Sequence, residues 1–179
     1  MKYITLSILA AAVALTSVIA GPVKEEKKVI VIEDQESIFR DQEIQFDLFF
    51  VNTFRKPNHD ADTYRIHTGA GGGFGVNFIF ARYFGIGAEN YLVANNKDAP
   101  YHLGGYGILR LPIDAINLAP YALFGGGGGL GKRAYGYGSM GGGLEYRFTP
   151  HIGTFADARW MCGTRAKGSN VRAGLRLSF

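Results

Sequence analysis

A single cysteine, Cys162, means that no internal disulfide braces this chain, so its stability has another source. Proline is scarce, at six residues, and beyond residue 20 no apolar run approaches the ~20 residues of a membrane-spanning helix. Lysine and arginine number 19 against 15 acids, but they are scattered rather than gathered into a stripe, which excludes the usual nucleic-acid footprint. The four histidines, His59, His67, His102 and His151, lack metal-ligand spacing. What the chain has in excess is glycine, 26 residues, lying inside periodic segments rather than in linkers.

The N-terminus has three parts. Lys2 supplies a positive charge, residues 4–15 are apolar apart from Thr5 and Ser7, and Val18-Ile19-Ala20 ends on a small residue before Gly21-Pro22. That order describes a secretory signal peptide over residues 1–20. About 159 residues remain, enough for one domain. Residues 21–41 are charged, with Lys24-Glu25-Glu26-Lys27-Lys28 ahead of Val29-Ile30-Val31-Ile32. They read as a largely flexible leader whose apolar run can add a short strand.

From residue 42 the pattern has period two. Residues 42–54 place Ile44, Phe46, Leu48 and Phe50 opposite Gln45, Asp47 and Thr53. Residues 66–80 set Phe74, Val76, Phe78 and Phe80 against Gly73, Gly75 and Asn77, and residues 84–94 set Ile86, Ala88 and Leu92 against Glu89 and Tyr91. Segments 101–111, 136–148, 151–162 and 170–179 alternate likewise; in 120–130 the run Gly125–Gly129 leaves the parity open. Alternation over ten residues is strand, because a helix would repeat at three and four. Connections of two kinds take turns: Ala81-Arg82-Tyr83, residues 112–118 and Thr149-Pro150 are punctuated by apolar residues or proline, whereas 55–62, 95–100, 131–135 and 163–168 are polar. The reading is all-β, an eight-stranded antiparallel up-and-down β-barrel over residues 42–179. Each segment approximates the ~9–11 residues that cross a bilayer at a tilt, and closure avoids unpaired backbone groups in lipid.

Alternation does not by itself say which face is outside, since a soluble barrel encloses its apolar face. The opposite face carries Asp47, Glu89, Arg110, Glu145, Arg147, Asp157, Arg159, Arg172 and Arg176, read here as mid-strand groups. Four acids against five bases in a narrow lumen make a paired plug, which puts the apolar face in lipid. Phe54, Tyr64, Tyr83, Phe84, Tyr101, Tyr121, Tyr135, Phe148 and Trp160 fall near strand ends, where interfacial girdles lie. Small residues inside leave volume for the arginines and aromatic rings.

Two stretches carry a family resemblance. Leu144-Glu145-Tyr146-Arg147-Phe148-Thr149-Pro150-His151-Ile152-Gly153 is a strand, a proline turn and a strand; Val171-Arg172-Ala173-Gly174-Leu175-Arg176-Leu177-Ser178-Phe179 is a final alternating strand. Residues 42–179 thus resemble the small bacterial outer-membrane barrels of the OmpA, OmpX and opacity-protein type, with shorter loops than the adhesins among them. The resemblance implies a transmembrane barrel in the outer membrane of a Gram-negative-type bacterium, with residues 21–41 periplasmic. It also implies that Phe179 is part of the signal read by the outer-membrane assembly machinery.

Other motifs fail in context. Gly126-Gly127-Gly128-Gly129-Leu130-Gly131-Lys132-Arg133 nearly spells a P-loop but ends in Arg133 instead of Ser or Thr, and no helix follows. Gly136-Tyr137-Gly138-Ser139-Met140-Gly141 fits a dinucleotide fingerprint only as a string. His59-Asp60-Ala61-Asp62 offers at most a weak cation loop, and Cys162 beside Trp160 reads as a small hydrophobe. Lys132, Arg133, Arg165 and Lys167 fall in outer connections, where they can pair with lipopolysaccharide phosphates. The functional expectation is a monomeric structural or surface-interaction protein of the outer membrane, with no cofactor and no enzymatic activity. A small-solute channel is the second class, separated by single-channel conductance. A lipid A-modifying barrel enzyme is the third; Ser139, Ser169 and Ser178 have no evident histidine partner.

Overall fold

The computed structural model describes residues 37–55, 68–94, 101–130, 134–163 and 167–179. Residues 1–20, expected to be a signal peptide, 21–36 of the expected leader, and residues 56–67, 95–100, 131–133 and 164–166 lie outside them. Eight strands follow in order: β1 (Glu43–Arg55), β2 (Gly69–Phe80), β3 (Phe84–Ala94), β4 (Tyr101–Arg110), β5 (Leu118–Leu130), β6 (Tyr135–Arg147), β7 (Ile152–Cys162) and β8 (Lys167–Ser178). Each pairs antiparallel with the next, and β1 pairs with β8, so the sheet is closed and no edge is left open. β5 starts two residues before the sequence pattern indicates, because Ile113 N–H donates to the Leu118 carbonyl (2.8 Å) and zips the preceding loop shut.

The period-two pattern sorts the side chains. Ile44, Phe46, Leu48 and Phe50 of β1 are exposed, and Gln45, Asp47 and Thr53 are buried. The same holds around the ring: Phe74, Ile86, Leu109, Phe124, Leu144, Trp160 and Leu175 are exposed, while the charged residues at the alternate positions are enclosed. A large apolar belt outside and a polar interior invert the arrangement of a water-soluble barrel.

Two aromatic residues depart from the expected girdle. Phe54, Tyr83, Phe84, Phe148 and Trp160 are exposed near strand ends, but Tyr121 is buried and Tyr135 half-buried, both at inward positions; Tyr64 lies outside the described residues. Tyr121 shares its parity with Leu123 and Gly125, which the glycine run had concealed. The Tyr135 ring lies over Gly129, where a β-carbon would stand 2.5 Å from its Cε1.

Three turns share the barrel end that carries the start of β1 and the end of β8: residues 81–83, 111–117 and 148–151. In the first, Ala81 and Arg82 both take left-handed backbone angles (φ 56° and 60°). In the last, Thr149 Oγ1 accepts from the backbone N–H groups of His151 (3.3 Å) and Ile152 (3.0 Å). Residues 37–42 run across this mouth.

Candidate functional site

The nine charged residues singled out from the pattern all have buried side chains at inward positions, and the structure adds a tenth, Glu43. The described lumen therefore holds five carboxylates (Glu43, Asp47, Glu89, Glu145, Asp157) and five guanidinium groups (Arg110, Arg147, Arg159, Arg172, Arg176). Glu43 sits on the face of Gln45 and Asp47, two and four residues before them. It is inconspicuous in sequence because it follows the charged leader directly.

The ten groups form two layers. β8 contributes to both, since Arg172 and Arg176 are four residues apart on its inward face. Arg176 lies directly across from Asp47 of β1, and its Nε and Nη2 make two parallel bonds to that carboxylate, each 2.7 Å. Its Nη1 crosses to Glu145 Oε2 (2.7 Å). Arg147 bridges Glu145 and Glu43, the latter at 2.6 Å, and Arg110 reaches Glu43 at 3.2 Å. Arg110 and Arg147 end their strands, so they lie at the mouth rather than mid-strand as the pattern suggested. Three acids and three arginines make this layer electroneutral.

Farther from that mouth, Arg172 lies across from Asp157 of β7, with Nε 2.9 Å from Oδ1 and Nη2 on Oδ2. Its Nη1 donates to Glu89 of β3. Arg159 joins the same carboxylates, at 2.9 Å to Glu89 and 3.3 Å to Asp157. Two acids against two arginines leave this layer neutral as well. Bidentate arginine–carboxylate pairs are the strong form of such contacts, and neutrality within each layer limits the cost of enclosing charge.

Rings separate and brace the layers. The Phe155 ring stands 4.7 Å from the Arg176 guanidinium and 5.6 Å from that of Arg172. Tyr121 donates to Asp157 (2.9 Å). Tyr106 donates to Asn77 (2.7 Å), whose amide donates to Asp47 (2.9 Å), while the Arg159 guanidinium lies 4.5 Å from the Tyr106 ring. Gly87 makes room for that ring: its β-carbon would fall 2.5 Å from Tyr106 Cε2. At and beyond the second layer apolar side chains join the filling, with Val51, Val93 and Met161 buried beside the polar Thr53 and Asn170 and with Tyr91 stacked on His102 at 4.5 Å. Patterning by charge did not reveal this apolar filling, because Leu48-Phe49-Phe50-Val51 is unbroken in hydrophobicity although it alternates in facing.

The remaining candidates are dispersed. Gly126–Leu130 and Gly136–Gly141 are extended strand in β5 and β6. His102 is buried in the lumen and His151 is in a turn, its Nδ1 2.8 Å from the Ser178 carbonyl. Cys162 is exposed at the end of β7 rather than packed. Among the described residues no group of three His, Cys, Asp or Glu could hold a metal ion. Lys167 is exposed at the start of β8; Lys132, Arg133, Arg165, His59, His67 and the 59–62 loop lie outside the described residues. The backbone of Phe179 exchanges bonds with Ile44 (2.9 and 3.1 Å), and its ring packs edge-on to Phe46.

A closed meander of eight strands, apolar outside and ionic within, defines a transmembrane-type β-barrel. The solved structures agree. The N-terminal β-barrel domain of Pseudomonas aeruginosa OprF superposes with a TM-score of 0.63 at 12% identity, over 76% of this chain and 97% of that one. Ail, the attachment invasion locus protein of Yersinia pestis, gives 0.58 at 14% identity, over 78% and 100%. The outer membrane protein OprG of Pseudomonas aeruginosa gives 0.56 at 9% identity, over 77% and 96%. At such identities the likeness is one of fold. No protein-family model and no curated protein matches the sequence.

Proposed function

We propose that the chain is an integral outer-membrane protein with a structural or surface-interaction role, its lumen closed by the two ionic layers. The observation that carries this reading is the inverted burial: Arg147, Arg172 and Glu145 are fully enclosed, while Phe50 is 81% exposed in an apolar ring. Such a ring in water would drive aggregation, and in hydrocarbon it is the solvated surface. A filled lumen leaves the outer connections as the surface that meets partners, and there Lys132, Arg133, Arg165 and Lys167 would face lipopolysaccharide phosphates. No catalytic role is assigned. The test is fractionation of cells expressing the full chain, followed by gel mobility with and without boiling. Membrane recovery with a heat-dependent mobility shift is expected. Recovery of the processed chain as a detergent-free soluble monomer overturns the proposal.

A further inference from the structure

Residues 37–42 do more than lead into β1. Three successive carbonyls in this segment each receive an arginine N–H at 3.3 Å: Ile38 from Arg147 Nη1, Phe39 from Arg82 Nη1 and Arg40 from Arg110 Nη2. The donors come from the end of β6, the β2–β3 turn and the end of β4, so the grip is assembled from three separate parts of the rim. The Phe39 side chain is completely buried, with the guanidinium carbons of Arg147 and Arg110 at 5.0 and 5.3 Å from its ring. Arg40 N–H donates to Glu43 (2.7 Å), and the Ser37 hydroxyl meets Asp114 (3.1 Å). Backbone carbonyls carry no sequence information; the aromatic pocket does.

We infer that this mouth is a binding site for a short peptide bearing an aromatic side chain, occupied in cis by residues 38–40 as a displaceable stopper. Two features distinguish it from the nearer ionic layer, with which it shares Arg110 and Arg147. Its ligand is held by backbone acceptors and one ring rather than by ion pairs, and it belongs to the chain that continues into the leader. Drawing the leader away withdraws Phe39 and the three carbonyls together, and leaves Arg110 and Arg147 facing the mouth with Glu43 between them. The inference rests on the mouth's geometry alone and stands whether or not the barrel resides in an outer membrane.

The test labels arginines in the folded full chain in detergent micelles with phenylglyoxal, mapped by mass spectrometry. In the wild type, Arg110, Arg147 and Arg172 should all resist. In Phe39→Ala, Arg110 and Arg147 should label about tenfold faster while Arg172 stays protected, and Phe39→Tyr should behave as the wild type. Unchanged protection in Phe39→Ala, wild-type labelling as fast as the variant's, or Arg172 rising in step overturns the inference. Should Phe39→Ala lose its heat-dependent mobility, replacing residues 37–41 by a glycine–serine stretch decides by the same readings. In that replacement a free peptide of residues 36–42 at ~1 mM, about the effective concentration of a short tether, should restore protection, and the same peptide with alanine at 39 should not. Failure of the native peptide to protect refutes a peptide site.

Discussion

Leu175 and Arg176 are neighbours in β8 that face opposite media. Leu175 is 56% exposed on the outer face, and Arg176 is buried against Asp47 and Glu145. Leu175→Arg should cost about 2–4 kcal/mol, because a guanidinium near the midplane must be solvated by hydrocarbon or by a distorted bilayer. Arg176→Leu should cost about 3–5 kcal/mol by another route, since enclosed Asp47 loses its ion-pair partner and Glu145 is left with Arg147. Denaturant titration of the refolded barrel in lipid vesicles measures both, and the second loss should be partly recovered in Arg176→Leu with Asp47→Leu, as the first has no such partner. Harmless Leu175→Arg would mean that the outer face is not in lipid. The inward positions of Asp47, Asp157 and Arg172 were legible because each is a charge with an apolar residue on either side, and that of Glu89, which Asn90 follows, because Ile86, Ala88 and Leu92 alternate around it. Glu43 was not, because Asp41 and Gln42 precede it and the local pattern has no apolar contrast.

Strands tolerate the abundant glycine for different reasons at different places. In β2, a β-carbon on Gly73 would run into the Asn90 carbonyl oxygen and lie 2.7 Å from Tyr91 Cα, so the obstacle is the backbone of β3. In β4, a β-carbon on the outward-facing Gly105 would meet nothing nearer than the Gly87 carbonyl at 3.7 Å. Gly73→Ala should therefore cost about 1–3 kcal/mol by forcing strands apart, whereas Gly105→Ala should be neutral or stabilise by up to about 1 kcal/mol through a less flexible unfolded chain. The same denaturant titration ranks the two, and equal effects would mean that β2 and β3 are spaced more widely than described. Strand existence and order could be read from the period-two repeat and the alternating connections. The facing of β5 could not, because Gly125–Gly129 supplies no side chains to alternate; the pairing of Tyr106 with Gly125 and of Tyr137 with Gly127 resolves it. Nor could the course of residues 37–42, since three backbone carbonyls gripped by distant arginines leave no trace in a local pattern.

Whether the closed cylinder conducts depends on the two ionic layers acting in series. Each is neutral by itself, three acids to three arginines near the chain-terminal mouth and two to two beyond it, with the Phe155 ring between Arg176 and Arg172. An ion crossing the lumen would have to break a bidentate arginine–carboxylate pair in each layer and replace its own hydration shell with side chains already committed to one another. Wild-type protein in planar bilayers should therefore leave the membrane sealed, without unitary steps. Arg172→Ala opens only the farther layer and leaves Arg176 locked on Asp47 and Glu145, so it should remain closed. Arg172→Ala with Arg176→Ala, combined with the glycine–serine replacement of residues 37–41 that takes Phe39 out of the mouth, removes guanidinium groups from both layers and leaves an excess of carboxylates, so if it keeps its heat-dependent mobility it should show small, cation-selective steps. Steps in the wild type would favour the channel reading over the structural one. Steps in Arg172→Ala alone would mean that neither the layer nearest the mouth nor the Phe39 segment is a barrier, and that the farther layer carries the closure by itself.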